Sequence, residues 1–214
     1  MRASLALFFA LVAAPAAALD CEALTARDVP FAVSYRMTRS APDGSTTDVA
    51  TGEQVQVLRR RPETLAYNVT APGQWSRAGA PGSGYLPREI FSSASRATRT
   101  WRYSIDIAGD YLTTRQPLDF TAELREADGA IVTQARMTVS FAGTTGVQAE
   151  GCNFTVLKLV RTMDGTSQGR PLSHRVENWW VPELRVSLFT RIANPSIAAT
   201  ATAARISRDF TPPE

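Results

Sequence analysis

Alternation with a period of two runs through most of this chain, and it constrains the fold more than any other feature. Phe31, Val33, Tyr35 and Met37 alternate with Ala32, Ser34, Arg36 and Thr38. Successive strand residues point to opposite faces, so this pattern predicts a strand with one buried side. The pattern returns in Val49–Leu58, in Leu65, Tyr67 and Val69, and in Trp101, Tyr103, Ile105 and Ile107. It continues in Leu118–Leu124, in Ile131–Phe141 and in the apolar run Phe154–Val160. Leu172–Val181, Val186–Ile192 and Ala198–Phe210 complete about ten strands. Turn signals separate them, among them Ala41-Pro-Asp-Gly-Ser45, Asp128-Gly129, Gly143–Gly146, Asp164-Gly165 and Pro182-Glu183. Crossover helices are missing, which excludes parallel βαβ units. The expected fold is all-β: an antiparallel meander forming an open barrel or strongly curved sheet, with at most one or two short helices.

Two segments interrupt the alternation. Ala71–Pro87 holds four glycines and three prolines, a density that argues against regular structure. A loop of that length is either a lid or binding loop, or a disordered surface segment, and the sequence leaves both open. Pro87–Ala97 could hold one short helix, with Pro87 near its start and Glu89 in the first turn.

The first residues indicate the compartment. Arg2 precedes the apolar run Leu5–Val12, and Ala13–Ala18 is a small-residue segment with an A-x-A site at Ala16 and Ala18. That is the order of a secretory signal peptide cleaved after Ala18. The apolar run is well short of the ~20 residues of a membrane span. Asp20 directly before Cys21 argues against lipidation at that cysteine. The expectation is therefore a periplasmic protein with residues 19–214 as one β-rich domain, and not an integral membrane protein. Lys158 is the only lysine among the 23 basic residues, an Arg-rich usage that points to a GC-rich bacterial genome. An even cysteine count in an oxidising compartment favours a Cys21–Cys152 disulfide over two free thiols.

Chemistry-bearing residues are sparse. His174 is the single histidine, and Ser173 beside it points to the opposite face, so the two cannot form a nucleophile–base pair. Asp106, Asp110, Glu123 and Glu126 sit near turns, where solvated acids belong. Nothing supplies the three or four ligands of a zinc site. The reading therefore assigns no catalytic residue, metal or cofactor. The formal charge of +3 and the lack of a basic stripe give no nucleic-acid reading. Arg59–Arg61 is one basic cluster, either a contact for anionic headgroups or a solvated turn.

Aromatics carry the binding hypothesis. Trp179 and Trp180 are adjacent in a strand and must face opposite sides of the sheet. Trp101, Tyr103, Trp179 and Trp180 are candidate lining residues for an apolar concave face, with Trp75 and Tyr85 as its cover; ordinary core packing is the other reading. The segments Ala149-Glu-Gly-Cys-Asn-Phe-Thr-Val-Leu-Lys-Leu-Val160 and Glu177-Asn-Trp-Trp-Val-Pro-Glu-Leu184, followed by Arg185-Val-Ser-Leu188, resemble uncharacterised periplasmic families related to lipoprotein carriers of the LolA/LolB type. The resemblance implies a half-open antiparallel barrel that shelters an acyl chain. The helices that plug the carriers' cavity have no counterpart in this pattern. A binding or carrier module for a lipid, lipoprotein or other amphiphile is the expected function. A cell-envelope protein-interaction module is the alternative.

Overall fold

The computed structural model describes residues 20–25, 30–40, 45–58, 63–71, 73–194 and 198–208. The expected signal peptide, the turn starting at Ala41 and the Arg59–Arg61 cluster lie outside the described residues. The chain opens with one helical turn, α1 (Cys21–Thr25), followed by β1 (Phe31–Ser40), β2 (Thr46–Leu58), β3 (Glu63–Ala71) and β4 (Gln74–Pro81). Next come β5 (Glu89–Ser92), β6 (Ala97–Tyr103), β7 (Leu118–Arg125), β8 (Ile131–Ala149) and β9 (Cys152–Ser167). The last strands are β10 (Arg170–Val181), β11 (Val186–Ala193) and β12 (Ala198–Ser207).

All twelve strands lie in one antiparallel sheet and pair in sequence order, the strongly curved meander that the alternation predicts. β1 also pairs with β12, so the two end strands meet and hydrogen bonding runs round a complete ring. Two strands beyond the expected ones, β4 and β5, lie where the sequence suggests a loop and a short helix. Both expectations are corrected. β4 pairs with β3 from Gln74 to Pro81, and β5 pairs with β4 and β6. Pro81 sits at the end of its strand, where a missing N–H is tolerated.

β8 and β9 form one long hairpin that bends. Straight, the 19 residues of β8 would span roughly 60 Å. The register shifts between Phe141 and Gly143, where the sequence suggests a turn. On β9 the buried positions change phase at the matching point: Cys152, Phe154 and Val156 join one apolar cluster, Leu157, Leu159 and Met163 another. A bulge thus lets one hairpin contribute opposite faces to two cores. Gly165 is likewise a strand residue and not a turn. A Cβ there would lie 2.1 Å from the Gln134 carbonyl oxygen, so glycine permits the close approach of β8.

The first core gathers Leu24, Phe31, Val33, Tyr35, Phe154, Leu184 and neighbours. α1 is fixed against it. Asp20 caps the helix by accepting from the Ala23 N–H at 3.1 Å, Leu24 is fully buried, and Cys21 is bonded to Cys152. The expected disulfide is therefore present. The second core holds Phe120, Ala122, Met137, Leu159, Met163 and Trp180, plugged from one side by Tyr85, Leu86, Ile107 and Leu112 of two connecting loops.

On the other face of β7–β10 stand ion pairs, Arg136 with Asp119 and Arg175 with Glu177 at 3.2 Å. Membrane barrels carry apolar residues outside and polar ones inside, and these strands show the reverse. No helix among the described residues is long and apolar enough to cross a membrane.

Candidate functional site

Strand register brings distant side chains into rows on the inner face. Phe120, Met137, Met163 and His174 are successive cross-strand partners on β7, β8, β9 and β10. Leu118, Val139, Arg161 and Val176 form the next row. Tyr103 pairs with Ala122, and Trp101 with Leu124. Small partners at Ala122, Ala135 and Gly165 leave space in front of the sheet. A cavity of about 320 Å³ results. Its apolar wall is Ile90, Trp101, Tyr103, Met137, Met163 and Leu172, with Pro87 at its edge. Three polar side chains line it as well: Thr133, Arg161 and His174.

The aromatics here are fixed in place. Trp101 and Tyr103 stack with ring centroids 5.9 Å apart, and Tyr103 packs edge-on against Phe120 at 5.7 Å. The Tyr103 hydroxyl donates to the Pro87 carbonyl at 2.7 Å, tying β6 to the plugging loop. That loop is anchored further by the Tyr85 hydroxyl, which donates to Asn178 Oδ1 at 2.8 Å, while Asn178 Nδ2 donates to Thr190 Oγ1 at 2.9 Å. The Leu86 N–H donates to the Tyr111 hydroxyl at 2.7 Å. Burial pushes the Tyr85 and Tyr103 phenols above their ordinary range, opposed by the Arg161 charge, and takes Tyr111 up to about 12. All three stay neutral donors or acceptors at physiological pH.

Arg161 is the unusual member. It stands on an inner face between Val139 and Val176, with Leu159 and Met163 before and after it on the same side of β9. Its Nε is buried without a hydrogen-bond partner. Among the described residues it forms no ion pair, and its one specific contact is the Tyr85 ring, 5.9 Å from the guanidinium carbon. Burial, and then the Arg161 charge, hold the His174 imidazole below its ordinary value, against the opposing pull of Asp164.

The sequence-derived candidates separate by face. Trp101 and Tyr103 wall the cavity. Tyr85 and Trp180 lie in the core behind it, edge-on to each other at 5.2 Å. Trp75 does not cover the cavity: it sits on the opposite face of β4, against Tyr67 at 5.9 Å and Phe91 at 5.3 Å. Trp179 also faces away, against Phe189 at 5.2 Å with Lys158 Nζ over its ring. Alternation puts each on the side away from Ile90 and Trp180 respectively. Within the described part of Ala71–Pro87, Gln74–Pro81 is a strand and the residues after it form a buried turn within the core, neither lid nor disordered loop. Ser173 Oγ donates to Asp164 Oδ1 at 2.6 Å, leaving His174 without that partner.

Arg161, Met137, Met163, Leu172 and Ile90 also line the cavity and are not among the sequence-derived candidates. The available signal is Arg161 itself, a charged residue at an inward position of the run Leu157, Leu159, Arg161, Met163. Removing the Tyr85 hydroxyl tests how firmly the plug is seated. Tyr85→Phe leaves buried Asn178 Oδ1 without this donor and is expected to cost about 1–3 kcal/mol. Urea unfolding should show a lower midpoint with an unchanged slope.

No protein-family model matches the sequence, and no curated protein does. Two solved structures are similar in backbone. The hypothetical lipoprotein YmcC from Escherichia coli (K12) shares 9% identity over 78% of this chain and 85% of that chain, with a TM-score of 0.42. A β-barrel-like protein of domain of unknown function DUF1849 from Brucella abortus shares 8% identity over 85% of this chain and 98% of that chain, with a TM-score of 0.39.

Proposed function

We propose that this protein is a binding or carrier module for an amphiphile, acting without catalysis in the periplasm. The observation that carries this reading is the cavity of about 320 Å³ with an apolar wall and few polar groups. Small-molecule sites are typically ~300–1,000 Å³ and are lined in this way. The volume lies at the lower end of that range, so it suits a single chain or ring system better than the several acyl chains of a lipoprotein anchor. The Cys21–Cys152 disulfide supports an oxidising compartment. The protein-interaction alternative calls for an exposed apolar patch. Ile131 and Ile192 are the exposed large apolar side chains among the described residues, which gives that alternative less support.

The test is direct binding of an uncharged single-chain probe. Delipidated protein titrated with 1-decanol should show saturable quenching or enhancement of tryptophan fluorescence, with about one molecule bound, because Trp101 walls the cavity. Met137→Trp places a larger side chain in the cavity and should abolish the response while the protein stays folded by circular dichroism. Native mass spectrometry of protein isolated gently from its producing cells should show a dissociable lipid-like mass. Absence of saturable binding, together with a clean native mass, overturns the proposal.

A further inference from the structure

We infer that Arg161 is the headgroup site of this cavity and that the ligand is a single-chain amphiphile with one anionic head, a carboxylate or a phosphate monoester. The inference rests on the amphiphile reading above and names the ligand class.

Three observations converge on it. The first is position. Arg161 lies at one end of the cavity floor, and Met163, then Leu172 opposite Gly165, follow along the strands towards Trp101 and Thr133. A head at Arg161 therefore leaves a continuous apolar path for a chain. The second is an uncompensated charge. A cation partly withdrawn from water, as half-buried Arg161 is, is normally paired, since desolvating a charge is costly. Arg161 has no carboxylate partner among the described residues, and its Nε is buried with no acceptor. The Tyr85 ring provides only a cation–π contact at 5.9 Å. The third is the chemistry of the neighbours. Thr133 Oγ1 and Ser167 Oγ hydrogen-bond each other at 2.9 Å, and the Tyr103 hydroxyl is committed to Pro87. That leaves the guanidinium fork and the His174 imidazole, which burial and the Arg161 charge bias to its neutral form; the charged planar fork is the one that matches carboxylate and phosphate oxygens two at a time.

The test compares heads on one chain length: decanoate, decyl phosphate, 1-decanol and decyltrimethylammonium, titrated against the full chain and Arg161→Met. Decanoate or decyl phosphate should bind roughly 10–100-fold tighter than 1-decanol, and in Arg161→Met the ratio of anionic to neutral affinity should collapse towards one. Whichever anion binds more tightly identifies the head. The cationic probe should bind most weakly. Arg161→Met should fold at least as stably as the parent, since an apolar side chain of similar length replaces an unpaired charge. Arg161→Lys keeps the charge without the fork and should recover part of the preference.

His174 gives an independent readout, being the single histidine of the chain. Its imidazole is depressed by burial and by Arg161, so an anion bound at Arg161 should raise its NMR titration midpoint, and 1-decanol should not. Arg161→Met should raise the unliganded midpoint, because a neighbouring positive charge is gone. Equal binding of anionic and neutral probes, unchanged by Arg161→Met, overturns this inference and leaves the apolar cavity reading intact. Failure of every probe to bind overturns both.

Discussion

Replacing Cys21 and Cys152 together with serine lowers the unfolding midpoint by about 5–20 °C. The bond joins residues 131 apart in sequence, and loss of a native disulfide typically costs about 2–5 kcal/mol, more for long closed loops. In a chain of this size each kcal/mol corresponds to roughly 2–4 °C. Local packing adds to the cross-link. α1 is a single five-residue turn, too short to be stable alone, and its one deeply buried side chain is Leu24. Without the bond, Asp20–Thr25 leaves the first core and uncovers Phe31, Phe154 and Leu184. The second core, which holds the cavity, is built by other strands. Affinity for 1-decanol should therefore remain within a few-fold of the parent at temperatures where the variant is folded. Thermal denaturation with and without reductant checks this. A midpoint change under about 2 °C would mean that Asp20–Thr25 stays on the first core without the bond.

Gly82→Ala has an effect of similar size for a different reason. Gly82 has a φ of 58°, and a Cβ on it would lie 2.2 Å from the Gly109 carbonyl oxygen and 2.6 Å from that of Ile107. The left-handed conformation costs about 1–2 kcal/mol for a residue with a Cβ, and forcing atoms into a packed site about 1–3 more. The expected total is about 2–5 kcal/mol. The clash falls where two loops meet, and these supply Tyr85, Leu86, Ile107 and Leu112 to the core behind the cavity. Separating them withdraws the Tyr85 ring from Arg161, so ligand affinity should fall together with stability. Gly109→Ala is the control: its Cβ would meet nothing within 4 Å, so it should change stability by less than about 0.5 kcal/mol. Equal stabilities of the two variants would show that the loops do not meet as described.

The cavity wall is partly legible in the sequence. Trp101 and Tyr103 could be proposed as lining because both fall in phase on one strand. The opposite facing of Trp179 and Trp180 followed from adjacency alone. Adjacency could not say which of them turns inward. That depends on Trp180 pairing with Leu157, beyond the phase change on β9. Trp75 reads as cover from the sequence because the glycines and prolines around it hide the strand β4. Arg161 is hidden in the sequence because it follows the strongly apolar segment Phe154–Val160, and the inward face there appears only once the β8 bulge between Phe141 and Gly143 is known.

The all-β class, the antiparallel order and the strands β1–β3 and β6–β12 are legible along the chain alone. Those follow from alternation and turn chemistry, which act between near neighbours in the chain. The chain alone also makes the Cys21–Cys152 bond the expected pairing. Packing across the sheet is what makes β4 and β5 complete the wall, brings β1 to β12, and lets one hairpin serve two cores. The cavity belongs to this second group, since it arises where Ala122, Ala135 and Gly165 of three strands come level. Register between strands is set by packing across the whole sheet, and a period of two says which residues share a face without saying which of them stand side by side.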